Sequence, residues 1–120
     1  MSTWTVDGSE VWPVPSIHAR SRYASRSTEP ELGVFEAWSG AEVVEIFEEA
    51  PVPRGDEFRY DDRGDTVICR RDSSLTTVYG LDSEHLTNIH GVAVAAAVDA
   101  QYGTDYRSGI DAANLEDVNR

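Results

Sequence analysis

The chain has 120 residues, enough for one domain with a core of its own, and nothing in it marks a second. Its 22 Asp and Glu stand against 10 basic residues, all arginine, for a formal charge of −12; in dilute salt that charge repels nucleic acid and argues against a general polyanion binder. The single cysteine, Cys69, excludes an intramolecular disulfide, and no apolar run approaches the ~20 residues that cross a bilayer.

Trp4-Thr5-Val6 and Glu10-Val11-Trp12 around Asp7-Gly8 read as a short hairpin, so residues 1–15 form an N-terminal arm or edge hairpin. Met1-Ser2-Thr3-Trp4 lacks the basic and apolar regions of a signal peptide, and a cytoplasmic protein without a membrane partner is expected. Pro13 and Pro15 hold Val14 extended, and Ser16 is placed to cap a helix from Ile17 to Arg26. Thr28, Pro30 and Glu31 form a capping-box pattern for a second helix. On it Leu32, Phe35 and Trp38 face the sheet, and Gly40 takes the left-handed position after the last turn.

Glu42 to Phe47 reads as a strand, and Glu48 to Gly55, with Pro51 and Pro53, as a stiff acidic loop. Glu57-Phe58-Arg59-Tyr60 is a further strand, turned by Asp61-Asp62-Arg63-Gly64; the tripeptide Arg63-Gly64-Asp65 reads as part of that turn. Val67-Ile68-Cys69 and Leu75 to Tyr79, broken by Asp72-Ser73-Ser74, form the clearest hairpin of the chain. Strict alternation puts Leu75, Thr77 and Tyr79 on one face and Thr76 and Val78 on the other. Asp82 or Ser83 caps a final helix that reaches Tyr102 and stops at Gly103, with Leu86, Ile89, Ala93, Ala96 and Ala100 as its stripe. Its middle is apolar nearly all round, which suits packing on two sides or a homo-oligomer contact through residues 83–102. Residues 104–120 read as a polar tail. The expected architecture is a single α+β domain, 1–120: a small antiparallel sheet of about four strands packed against two N-terminal helices and one C-terminal helix.

The stretch with chemical potential is Ser16 to Arg26. On a helix His18, Arg22 and Arg26 lie four apart and form one stripe, drifting by about 40° per step. An imidazole beside two guanidiniums makes a workable phosphate site; the competing reading, which spacing alone favours, is a solvated face paired with carboxylates. His85 and His90, five apart and roughly 140° around a helix, cannot chelate one metal from the same face, and no metal or cofactor site is expected. No phosphate loop, dinucleotide fingerprint or nucleophile elbow is present.

The pattern His18-Ala19-x-x-Arg22-x-x-x-Arg26, a helix and strand, then a hairpin ending in Thr77-Val78-Tyr79, resembles the RelE-like ribonuclease toxins, particularly their DUF4258 and BrnT-type branches, over Ser16 to Leu81. The resemblance implies a sheet face that holds RNA and cleaves it without a metal, the ribose 2′-hydroxyl attacking the adjacent phosphate. By carry-over His18 is base or acid, Arg22 and Arg26 bind phosphate, Tyr79 donates a hydrogen bond, and Arg70 or Arg71 completes the cluster; an antitoxin is the implied partner. The acidic excess without lysine departs from the basic character of these toxins and resembles the surface of proteins from salt-loving archaea, where carboxylates keep the chain hydrated; a high-GC genome, which favours arginine over lysine, is the alternative source of the lysine-free pattern. In molar salt the Debye length shrinks to ~3 Å, so a local arginine cluster contacts phosphate despite the net charge. Two other classes fit the composition: a non-enzymatic assembly protein, such as a connector or tail component of a halophilic virus and then located in the virion, and a small regulator that binds through its acidic surface.

Overall fold

Ser16 ends an extended stretch and starts a helix, because its Oγ accepts the Ala19 N–H at 3.0 Å and satisfies one of the donors that a first turn leaves open. The computed structural model describes residues 4–6, 9–11, 13–46, 50–82, 86 and 89–109. Trp4–Val6 (β1) and Ser9–Val11 (β2) pair antiparallel, as the hairpin pattern predicts. Val14–Pro15 (β3) then leads into helix α1, Ile17–Arg26, whose bounds are those expected. Helix α2, Val34–Gly40, precedes strands β4 (Glu42–Val44), β5 (Glu57–Asp61), β6 (Thr66–Arg71) and β7 (Ser74–Gly80), and helix α3 spans Ile89–Tyr102.

The sheet order is β3-β7-β6-β5-β4. The class is α+β as expected, with four antiparallel strands; a fifth, β3, pairs in parallel with β7 and makes the sheet mixed. Val14 and Ser16 donate their N–H groups to Ser73 and Leu75 carbonyls of the β7 side at 2.8 and 3.1 Å. The flanking imino acids, Pro13 and Pro15, have no N–H to offer in the other direction. At the opposite edge the Gln101 side chain completes β4: its Oε1 accepts from Glu45 N and its Nε2 donates to Glu45 O, each at 2.8 Å, while the Tyr102 hydroxyl donates to Val43 O.

Each face of the sheet carries its own core. Helices α1 and α2 cover one with Ala19, Tyr23, Val34, Ala37 and Trp38, packed on Ile68, Leu75 and Val78. Helix α3 covers the other with Val94, Ala95 and Val98, packed with Phe58, Val67, Cys69, Tyr79, Leu81 and Leu86. Strict alternation along β7 fails for a definite reason. Cys69 faces Thr77 and Arg70 faces Leu75, so Thr76 is an extra residue, a bulge that returns Leu75 and Val78 to one face and sends Tyr79 to the other.

Further expectations are corrected. The capping box does not form: the Thr28 hydroxyl donates to Asp65 Oδ2 at 2.9 Å, Pro30–Leu32 makes a short 3₁₀ turn, and Gly33 at φ +83° resets the direction before α2. Gly40 ends α2 within ordinary helical space and Ala41 follows as its C-cap, so no left-handed residue is used; the buried face is Val34, Ala37 and Trp38, with Phe35 exposed and Leu32 half-buried. Helix α3 begins at Ile89 and not after Asp82; Ser83, the other expected cap, lies with residues 84–85 and 87–88 outside the described residues. Its buried side is Gly91, Val94, Ala95 and Val98 in place of the alanine stripe, because the two valines remove more apolar area from water than alanines do. Gly103, at φ +68°, ends the helix as expected, and Tyr106 beyond it folds back, donating to Asp65 Oδ1 at 2.7 Å with the Tyr60 hydroxyl 2.6 Å away.

Polar groups fix the helical layer. Asp61, buried at the end of β5, accepts from the hydroxyls of Tyr23 and Thr66 at 3.0 Å each, and an added Cβ at Gly64 would lie 2.5 Å from both the Tyr23 hydroxyl and Asp61 Oδ2, so the turn and α1 meet only through glycine. Burial pushes the Tyr23 phenol up to about 12 from its ordinary 10.0, and the Asp61 carboxylate adds to the shift. A raised folded-state value favours the protonated form, so this contribution is complete below pH 10.0 and is lost as pH rises towards 12. Stability measured by urea titration across that interval is expected to fall, and Tyr23→Phe to flatten the slope by the equivalent of about one proton.

Candidate functional site

On the α3 side of the sheet, Cys69, Arg71, Thr76, Thr77 and Tyr79 line a cavity of about 260 Å³ together with Pro53 and Arg54 of the β4–β5 loop. The strands place these side chains by alternation: Cys69 and Arg71 on β6, Thr77 and Tyr79 on β7, with the Thr76 bulge between them and the turn. Its described lining contains two guanidiniums, a phenol, two hydroxyls and a thiol, and no carboxylate. That composition is notable in a chain of −12. Arg54 and Arg71 are exposed, and neither guanidinium makes a hydrogen bond or ion pair among the described residues.

Tyr79 is 9% exposed, and its hydroxyl has no hydrogen-bond partner among the described residues. Burial pushes its phenol up to about 12, so at neutral pH it stays protonated and can donate. Burial likewise pushes the Cys69 thiol up, with Arg70 and Arg71 opposing the shift, which leaves it a thiol and a poor nucleophile. The Thr76 hydroxyl donates to Cys69 O at 3.4 Å, whereas that of Thr77 is unengaged among the described residues.

The residues singled out in the sequence divide between the two faces. Arg71 and Tyr79 meet at this cavity. His18 is exposed on α1, Arg22 is half-buried beside it, and Arg26 donates from Nη1 to Val78 O at 2.9 Å. Helix α1 turns Ala19 and Tyr23 inward against the face opposite Tyr79, so the sheet stands between His18 and Tyr79. Arg70 reaches neither group. It is 9% exposed; its Nε donates to Glu57 Oε1 at 3.2 Å and its Nη1 to Asp72 O at 2.5 Å. Glu57 Oε2 also takes Arg59 Nε at 2.7 Å, and the Arg59 guanidinium lies 4.2 Å from the centroid of the Trp38 ring.

Sequence reasoning missed Arg54. The signal present was one arginine between Pro53 and Gly55 in an otherwise acidic loop, but its approach to β6 and β7 is a non-local fact. A second cavity, about 470 Å³, lies between α1 and α2 and includes Arg20, Tyr23 and Phe35; no arginine of the expected stripe lines it. Among the described residues no group of three or more His, Cys, Asp or Glu is arranged to hold a metal ion, and no helix is long and apolar enough to cross a membrane.

Two helices on one face of a small sheet, and on the other a cationic cavity without a carboxylate among its described lining, define an α+β domain suited to an oxyanion. Residues 13–82 match the family model described as "Putative RelE superfamily toxin domain", which covers more than half of the chain, and the protein belongs to that family. Neither a curated protein nor a solved structure matches it.

Proposed function

We propose that this toxin domain binds RNA and cleaves it by metal-independent transesterification at the cavity of Arg54, Arg71 and Tyr79. The supporting observation is that two guanidiniums without a carboxylate partner among the described residues share one cavity with a buried, unengaged phenol. In this reading Arg54 and Arg71 take the non-bridging oxygens of the scissile phosphate and stabilise the extra charge of the pentacoordinate transition state. The ribose 2′-oxygen bonds to phosphorus, the bond from phosphorus to the 5′-oxygen breaks, and Tyr79 passes its proton to that departing oxygen. The products are a 2′,3′-cyclic phosphate and a 5′-hydroxyl. No imidazole or carboxylate belongs to the described lining, so solvent hydroxide removes the 2′ proton. His18, Arg22 and Arg26 then supply charge for RNA along α1 and take no part in bond breaking.

The test is RNA cleavage by the purified protein in molar KCl with EDTA present. Arg54→Ala and Arg71→Ala are each expected to lower kcat/KM by about a hundredfold, the range for one lost transition-state donor, and His18→Ala to change it little. Loss of cleavage in His18→Ala with full activity in Arg71→Ala would overturn the assignment.

The −12 charge and the absence of lysine support a protein adapted to concentrated salt, and the His18 to Arg26 pattern supports kinship with the BrnT-type branch. Carboxylate repulsion is screened as salt rises, so the melting temperature is expected to increase from about 0.1 M to about 2 M KCl. An antitoxin is the partner expected for a toxin domain of this family.

A further inference from the structure

The segment from Ala50 to Asp56 carries Arg54 over the cavity, and it is fastened at both ends. On its N-terminal side the His90 ring, in the first turn of α3, hydrogen-bonds the Pro51 carbonyl through Nδ1. A carbonyl oxygen only accepts, so Nδ1 is the protonated nitrogen and donates. On its C-terminal side the Asp56 N–H donates to Arg70 O at 2.8 Å, and Asp56 Oδ2 accepts the Asp72 N–H at 2.6 Å. Arg70 closes the same knot, with Nη1 on Asp72 O at 2.5 Å and 4.0 Å from Asp56 Oδ2. Asp72 is the residue after Arg71, and Asp56 is two residues after Arg54. This small cluster ties the backbone on both sides of Arg71 and on the C-terminal side of Arg54, and the His90 bond ties the other side of Arg54.

Between the fastenings the chain has little freedom. Pro51 and Pro53 fix their φ angles, and Gly55 lies so close to the sheet that an added Cβ would stand 2.3 Å from Cys69 Sγ and 3.2 Å from the Phe58 ring. Asp72 itself sits at φ +53°, a conformation that a residue of this type tolerates and that aims its N–H at Asp56.

We propose that residues 50–56 form a clamped strap whose task is to hold Arg54 opposite Arg71, with His90, Asp56 and Arg70 as positioning residues that touch no substrate. This rests on the cleavage site proposed above. It gives Arg70, sought in the sequence as a phosphate ligand, a different task, and it gives a role to His90, which no metal claims.

A double-mutant cycle on RNA cleavage, read together with amide hydrogen exchange of the full chain, tests the strap. Asp56→Ala is expected to raise KM about tenfold, the effect of one charge-assisted hydrogen bond, and to have no further effect in an Arg54→Ala background, because the strap acts through Arg54. Asp56→Asn, which still offers an oxygen to the Asp72 N–H, should recover most of the loss. At position 90 asparagine places an N–H where Nδ1 stands, so His90→Asn should behave as wild type and His90→Gln as His90→Ala. Exchange at the Val52 and Asp56 amides should quicken in Asp56→Ala and His90→Ala and remain slow in the rescuing variants. Losses that multiply in the double variant, or exchange that does not change, would overturn the strap. If wild-type protein cleaves no RNA, the cleavage reading fails, and the exchange data alone still decide whether the clamp exists.

Discussion

Tyr79→Phe is expected to lower kcat by about a hundredfold or more while KM and the melting temperature stay near wild type. The phenyl ring packs among Val67, Cys69 and Leu81, and phenylalanine keeps that packing. The hydroxyl has no hydrogen-bond partner among the described residues, so its removal leaves none of them unpaired and carries no folding cost of that kind. What is lost is a proton donor aimed into a cationic cavity. The pH profile separates this role from a histidine mechanism. With hydroxide as base the wild-type rate climbs through neutrality with no inflection in the histidine range, and it levels off as the Tyr79 proton is lost towards about 12. The upper break should vanish in Tyr79→Phe. Loss of cleavage in His18→Ala, with Tyr79→Phe still active, would instead place the chemistry on α1.

Glu57→Ala should destabilise the fold by about 3–5 kcal/mol, the range for removing one partner of a buried ion pair. Glu57 bonds two guanidiniums at once: Arg59, 1% exposed and stacked on Trp38, and Arg70, 9% exposed. Its removal takes the shared carboxylate from both guanidiniums, which keep hydrogen bonds to Trp38 O and Asp72 O. For a domain of this size the melting temperature should fall by roughly 10–20 °C. Arg59→Met in the Glu57→Ala background should recover part of the loss by removing one buried charge that has lost its carboxylate. A melting temperature within a few degrees of wild type would show that water reaches Arg59 and Arg70, contrary to their burial. Arg70 serves the strap as well, so Glu57→Ala should also weaken RNA cleavage in protein that remains folded.

Signals within one turn or one hairpin were legible in the sequence: Ser16 with the helix behind it, the β6–β7 hairpin, and Gly103 as a helix end. What the chain could not display locally was where polar side chains would find partners. Thr28 has the spacing of a cap, yet the turn after β5 brings Asp65 within 2.9 Å of its hydroxyl and a carboxylate acceptor wins over the backbone. The bulge at Thr76 shifted the faces of β7, which decided that Tyr79 would meet Arg71 and not His18. The stripe His18, Arg22 and Arg26 is real helix geometry. Its distance from Tyr79 was not legible, because Ala19 and Tyr23 set which side of α1 turns inward, and they turn it toward the face away from Tyr79. Arg54 and the two-residue β3 depend on contacts far apart in the chain, which no window of sequence carries.

The borders of the sheet restrict how other molecules can approach. Beside β4, Gln101 uses both ends of its amide on Glu45, occupying the backbone positions that a further strand would need. Beside β3, Pro13 and Pro15 leave the outward side without donors. A visiting chain, whether a sister copy or an inhibitor, therefore gains nothing by lying alongside as one more strand. Recognition has to come through side chains on the two broad faces, where a sequence of shape and charge must be matched. At these two edges of the five-stranded sheet a colliding molecule finds fewer backbone groups to pair with, which disfavours extension of the ladder into fibres.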